Sequence, residues 1–403
     1  MVSEEKAAAT PAAVVTAGAE GNSAMERIRL EPRTDWQRKV EDTGFCCHTA
    51  KGVPYWNEAA AYVFSAGEVD FLEAAANRLQ ELAIAGVEHC IAKDRFRELG
   101  IGERAKSLIL ASWNNPAFDE ISLYGRFDLA YDGRGGEPKL LEYNADTPTS
   151  LLEAAVVQWH WLKDVFPREE QWNSIHERLI ARWKEFKRHG RVRQIYLGCA
   201  RHALEDYENT LYIADCAMQA GIKVSEILGM DQIGWNGRNF TDLRERKIEA
   251  LFKLYPWEWL LTDPFGAHVE AMRVIEPAWK MIFSTKAILP ILWEIAPNHP
   301  NLLEASFQKF NEGAYAAKPY LSREGSNVTI VEEDGAAYET GGPYGAGPKV
   351  FQRLADVPEF DGQRPVLGVW VIGEEAAGLG IREDESAVTG NLSRFVPHYF
   401  PKS

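Results

Sequence analysis

The run Leu123–Glu153, LYGRFDLAYDGRGGEPKLLEYNADTPTSLLE, decides how the rest of the chain is read. It predicts two strands, SLYGRFDLAYD and PKLLEYNA, joined by the glycine-rich turn Asp132-Gly133-Arg134-Gly135-Gly136. Side chains alternate along a strand, so Arg126 and Asp128 share one face, as do Glu142 and Asn144. A hairpin symmetric about Gly135 sets Arg126 opposite Asn144 and Asp128 opposite Glu142. Two carboxylates facing each other on a sheet repel. A divalent cation between them removes the repulsion, and two carboxylates with an amide oxygen suit a hard ion such as Mg²⁺. Magnesium keeps waters and substrate phosphates as its other ligands, so the hairpin reads as a platform for a metal–nucleotide. The next stretch, Asp146-Thr147-Pro148-Thr149-Ser150, is dense in small hydrogen-bonding groups.

Around this hairpin, 403 residues allow two or three domains, or one large multi-lobed enzyme. A hydrophobic content of 46%, with 13 Trp and 18 Phe, is ample for large cores. A net charge of −15 argues against nucleic acid, whose phosphates demand a basic surface, and is compatible with cationic small molecules. Five scattered cysteines without metal-ligand spacing read as reduced thiols of a cytoplasmic protein. The adjacent Cys46 and Cys47 read as structural, since a Cys–His nucleophile pair must meet in space rather than in sequence. No apolar run is long enough for a membrane span. Residues 1–24 are Ala-rich without a basic leader region and read as a disordered tail.

Along the chain, apolar spacing predicts helices from Glu26 to Asn115, most clearly at Leu72, Ala76, Leu79, Leu82 and Ala83. LLEAAVVQWHWLKDVF predicts a helix with its aromatic side in the core and His160 packed. A βαβ segment follows, RQIYLGCA, a helix through NTLYIADCAMQAGI, and KVSEILG, which places a smaller α/β lobe at about 190–240. Glu205, Asp206 and Glu208 cluster before its helix, either opposing the helix dipole or forming an anionic pocket for an amine; both readings stand at this point. ALFKLYPWEWLL and TKAILPILWEIA read as helical, and AYAAKPYL, NVTIVEED, KVFQRLAD and PVLGVWVIG as strands of an antiparallel sheet.

EYNADTPTSLLEA, with GRFD upstream, resembles the synthetase domain of glutathionylspermidine synthase, in the ATP-grasp superfamily. Further similar stretches run in order from about Met25 to Ser403: KGVPYWNEAAAYVF, GWNGRNFTDLRERKIEALFKLYPWEWL, EPAWKMIFSTKAILPILWEIAPNHPNLLEA, KPYLSREGSNV and GNLSRFVPHYF. The resemblance implies an α/β ATP-grasp fold over 25–403, with a nucleotide held by antiparallel sheet. The cofactors it implies are ATP and two Mg²⁺ on Asp128, Glu142 and Asn144. Lys286 and Lys318 match the family's nucleotide-contacting lysines, and Gly325 lies in a loop, Arg323–Asn327, suited to closing over phosphate. Gln352 matches the hinge that reads adenine through the main chain. Arg126 matches the residue that holds the acceptor carboxylate, Arg382 the arginine that stabilises the transferring phosphoryl group, and Asn391–Arg394 the family's closing motif.

Glu205 and Asp206 lie where the family places polyamine-binding acids. Thr147 and Thr149 stand where the characterised synthetase has serines that meet its tripeptide, which leaves the hydroxyls and adds bulk. The full-length family enzyme also carries an amidase domain, expected to be absent here. The implied activity is an ATP-dependent carboxylate–amine ligase acting through an acyl phosphate. The alternative is a nucleotide- and amine- or peptide-binding protein without turnover on the same fold. Its partners are small molecules, a carboxylate or peptide and an amine, and neither nucleic acid nor a membrane.

Overall fold

The computed structural model describes residues 25–115 and 122–402; the tail expected at 1–24 lies outside them. The hairpin forms in the register expected, with Arg126 paired to Asn144, Phe127 to Tyr143 and Asp128 to Glu142, and a bulge follows Asp128. Gly133 and Gly135 take positive φ at its turn. The opposite face of the hairpin is apolar. Phe127 and Tyr143 stack with ring centroids 3.9 Å apart, and the Tyr143 hydroxyl donates to Gln80 at 2.8 Å. A Cβ on Gly125 would stand 2.7 Å from that hydroxyl, so glycine is what seats the ring.

The hairpin strands Tyr124–Ala130 and Lys139–Asn144 form one side of a five-stranded antiparallel sheet, continued by Arg364–Ile372, Glu375–Asp384 and Arg394–Val396. A second five-stranded antiparallel sheet has the order Ala305–Ser306, Lys349–Arg353, Tyr315–Pro319, Thr329–Val331, Ala337–Glu339. The four strand segments expected in one sheet are therefore divided. PVLGVWVIG joins the hairpin, because its near-continuous apolar run is buried on both faces, while the other three build the second sheet.

A parallel sheet, ordered Arg273–Ile275, Ala250–Leu254, Gln194–Cys199, Lys223–Gly229, carries the expected βαβ unit with helix Leu204–Gln219. It reaches beyond residue 240, and ALFKL within it is a strand, not a helix. Its five residues are all buried between neighbours, a pattern whose period does not separate helix from strand. Helix Trp257–Leu260 is a single turn.

The long helix Ala66–Ala92 begins at a capping box between Ser65 and Glu68. Before it, the helical expectation holds only at Trp36–Glu41. Glu26–Arg29 and Ala60–Val63 are strands, and Ala60–Val63 also pairs with His398–Tyr399, so burial against distant strands overrides local periodicity. Residues 151–165 are helical, opening with a π-helical turn at Glu153–Val157. Trp161 is buried there, but His160 is exposed rather than packed.

Two buried ion pairs fasten the parallel sheet to the hairpin. Lys253, on Ala250–Leu254, bonds the Asp146 carboxylate just past the hairpin, and neither side chain is exposed. Asp146 also accepts the Trp257 N–H at 3.0 Å. Glu276 pairs with Lys280 and accepts the backbone N–H groups of Leu123 and Tyr124, while Lys280 donates to the Tyr124 carbonyl at 2.6 Å. No helix among the described residues is long and apolar enough to cross a membrane.

Candidate active site

A cleft of ≈ 580 Å³ opens between the two antiparallel sheets, with the parallel sheet's loops along its third side. The central sheet supplies Arg126, Asp128, Glu142, Asn144 and Arg382, and the second sheet supplies Lys318 and Gln352. Thr147, Thr149 and Asp206 line it from the loops and helix, with Lys286 and the Arg323–Gly325 loop closing the remaining side. Of the residues expected in the site, Glu205, Glu208 and the closing motif Asn391–Arg394 do not line the cleft.

Arg126 is the centre of the charge arrangement. Its guanidinium grips Asp128 with two bonds, 2.6 and 3.1 Å, and donates to the Thr149 carbonyl at 2.6 Å. A Cβ on Gly368, in the adjacent strand, would lie 3.0 Å from Arg126 Cδ, so glycine there makes room for this side chain. Arg382 stands 3.6 Å from Asp128, whereas the alternative partner Asp384 takes the Ser393 hydroxyl instead. Burial pushes the Asp128 carboxyl up, but Arg126, Arg382 and Lys286 outweigh it and hold the group below the usual carboxylate range.

Lys286 bonds Glu142 at 3.0 Å. Lys318 donates to the Leu141 carbonyl at 2.9 Å and to the Gln352 amide oxygen at 2.6 Å. Burial pushes the Lys318 ammonium down to about 8. Gln352 is thus the support behind Lys318, and its main chain lies in the ladder opposite Ala316 and Ala305. Leu354–Val357, just beyond, line the cleft and make no backbone–backbone hydrogen bond among the described residues. Asn391–Arg394 stand behind the wall rather than on it; Ser386–Thr389 line the cleft in their place.

The hairpin carries donor types that a magnesium ion takes, although no group of three or more His, Cys, Asp or Glu among the described residues is placed to hold a metal. Asp128 and Glu142 face each other, and Asn144 lies two residues along the same face. Its amide oxygen accepts the Asp146 and Thr147 N–H groups at 3.3 and 3.1 Å, which sets its orientation. Two carboxylates and an amide oxygen are hard ligands with few protein atoms, as Mg²⁺ on a nucleotide requires.

The match to known proteins decides the lineage. Residues 27–401 match the family described as "Glutathionylspermidine synthase preATP-grasp". The chain belongs to this family. It is 41% identical over 397 residues to a Haemophilus influenzae protein named "Putative acid--amine ligase", covering 93% of this chain and all of that one. It is 29% identical over 336 residues to the trypanothione synthetase of Crithidia fasciculata, and 27% over 309 to the bifunctional glutathionylspermidine synthetase/amidase of Escherichia coli. Those matches cover 75% and 68% of this chain but only 50% and 48% of the two larger proteins.

In this glutathionylspermidine synthase family member, sequence reading named Ser150 and Glu208 but missed Tyr55 and Glu153, which join them in a polar group behind Arg126. Tyr55 donates to Glu153 at 3.0 Å and lies 3.0 Å from the Ser150 hydroxyl. Glu208 accepts the backbone N–H groups of Cys46 and Cys47 at 2.9 and 3.3 Å. Burial and Glu208 push both thiols up, Cys47 to about 12, so neither supplies a thiolate at neutral pH. Both residues lie in stretches already quoted: Tyr55 in KGVPYWNEAAAYVF, and Glu153 in LLEAAVVQWHWLKDVF, read only as helix.

Proposed function

We propose that the chain is an ATP-dependent acid–amine ligase that activates a small carboxylate as an acyl phosphate and passes the acyl group to an amine. The observation that carries this reading is the convergence of four cations, Arg126, Arg382, Lys286 and Lys318, with a hard oxygen donor set on one cleft. ATP would enter between the sheets with its base against Leu354–Val357, and Lys318 and Lys286 would hold its phosphates as point charges. Asp128, Glu142 and Asn144 would hold Mg²⁺, which when bound screens phosphate charge during transfer.

Arg126 offers its guanidinium to the acceptor carboxylate, and Arg382 to the charge that develops on the moving phosphoryl group. The acyl phosphate gives the later attack phosphate as its leaving group in place of oxide. The acid would lie along Thr147 and Thr149. The amine would lie toward Glu205 and Asp206: burial pushes the Glu205 carboxyl up, and burial and Glu205 push the Asp206 carboxyl up to about 7. A bound ammonium compensates that crowding of acids.

The test is ADP release measured over a matrix of small acids and amines, with glutathione and spermidine included because they appear in the relatives' names. Release that requires both an acid and an amine, and that is lost in Asp128→Asn, is the expected result. Release that needs only an acid indicates a small-acid kinase. Nucleotide binding without any release indicates the non-catalytic alternative.

A further inference from the structure

An amine that attacks an acyl phosphate must first shed a proton, because alkylamines are ammonium ions at neutral pH. The atoms balance as follows. One proton leaves the ammonium before attack, the nitrogen lone pair forms the C–N bond, and the C–O bond to phosphate breaks. The second nitrogen proton leaves with the phosphate as hydrogen phosphate. The first proton needs a base. Of the carboxylates that line the cleft, Asp128 is held by Arg126 and Glu142 by Lys286, and Asp206 is assigned above to the charge of the bound amine.

Behind the cleft, Glu153 is fully buried, and its Oε2 atom has no hydrogen-bond partner among the described residues. Its Oε1 accepts the Tyr55 hydroxyl at 3.0 Å. With the Tyr55 proton committed to Glu153, the Ser150–Tyr55 contact at 3.0 Å places the serine proton on the tyrosine oxygen. Both hydroxyl protons then point toward Glu153, and the Ser150 oxygen is left to accept. Ser150 lines a small hollow shared with Arg126, Asp128 and Arg382, beside the Thr149 carbonyl that Arg126 holds. Ser150 takes a positive φ of 66°, uncommon for serine, at this place. Glu153 itself sits in the π-helical turn, a distortion that recurs at functional sites.

We propose that Glu153 is the terminal acceptor of the amine's proton, reached from the cleft through the hydroxyls of Ser150 and Tyr55. This rests on the ligase reading above and assigns a role that reading leaves open. The groups that face Glu153 are Tyr55 and Ser150 from their loops and Glu205 and Glu208 from helix Leu204–Gln219, with Cys47 close by and Arg382 acting on Tyr55. Burial, then Glu205, push the Glu153 carboxyl up to about 8, which matches a base working near neutral pH. An arriving ammonium adds the positive charge that this group of acids lacks. It therefore favours ionised Glu153 at the moment the proton must move. Glu153 and Tyr55 touch no substrate and are relay residues; Ser150 is the contact.

The test compares two nucleophiles with the acid that supports ADP release in the screen, glutathione first: spermidine, which arrives protonated, and hydroxylamine, which is uncharged at neutral pH. In Glu153→Gln and Tyr55→Phe, amide formation with spermidine is expected to fall about 100-fold relative to hydroxamate formation. The pH dependence of spermidine turnover should also change, from a plateau above about pH 8 in the parent to a continuing rise in Glu153→Gln. Equal losses with both nucleophiles would assign the group a purely structural role and overturn the relay, as would no loss with either. A parent protein that releases ADP with neither nucleophile, across the whole screen, refutes the ligase reading instead.

Discussion

Replacing Lys253 by methionine keeps the length of the side chain and removes its charge, which leaves the Asp146 carboxyl in the core without its counter-ion. Neither partner of this pair is exposed, so water cannot take over. Breaking one side of a buried pair costs about 3–5 kcal/mol, most of it the stranded charge rather than the lost attraction. Asp146→Asn should cost a similar amount for the mirror reason. The double variant buries no charge, and the introduced amide can still accept the Trp257 N–H that Asp146 accepts now. It should therefore recover most of the loss, with a coupling energy of at least about 2 kcal/mol. Urea unfolding of the four proteins, followed by tryptophan fluorescence, measures this directly, since the Lys253 ammonium lies 4.9 Å from the Trp257 ring. Single-variant costs that add in the double to within about 0.5 kcal/mol would refute the argument. So would a Lys253→Met cost below about 1 kcal/mol, because a solvated pair behaves that way.

Two pH predictions follow from the buried groups. Lys318 loses its proton as pH rises through about 8, so ATP–Mg²⁺ affinity should be flat below that value and fall about tenfold per unit above it; Lys318→Ala should bind weakly with no such slope in equilibrium titrations. Glu153 holds its proton to about 8 when folded against an ordinary value of 4.5, so the stability it contributes is full below about 4.5 and is lost as pH rises to about 8. Glu153→Gln should therefore melt at a temperature that gains on the parent between pH 5 and 8.5, by an amount equivalent to a few kcal/mol, and a constant difference across that range would show the sign to be wrong.

Much of the site was legible because it is local. Arg126, Asp128, Glu142 and Asn144 sit on one hairpin whose register follows from its turn, so period-two alternation alone placed them together. Lys286, Lys318 and Arg382 were reachable through the family's motifs, although nothing in a lone lysine says which sheet it serves. What stayed hidden depends on distant burial. ALFKL is apolar throughout, and only its place between two parallel neighbours makes it a strand. His160 lies between two tryptophans in sequence, yet the helix turns it outward while Trp161 turns in. Glu153 fell in a segment read simply as helix, and the contact that sets it apart is with Tyr55, which comes 98 residues earlier.

The strand Tyr124–Ala130 has a bearing on how the chain is made as well as on what it does. One of its edges is covered by its own hairpin partner, but the other is covered by Arg364–Ile372. During synthesis at 5–20 residues per second, that second partner emerges about 10–50 s after the first. For that interval the platform carrying Arg126 and Asp128 has an open strand edge and an uncovered apolar face, Phe127 and Leu129 included. Strand Ala60–Val63 waits longer still, for His398–Tyr399. Arg126, Asp128 and Glu142 are thus translated well before Lys318 and Arg382, which share their cleft, so a nascent chain has no cleft to fill. A chain stalled in the stretch before Arg364 is therefore expected to keep that strand edge open.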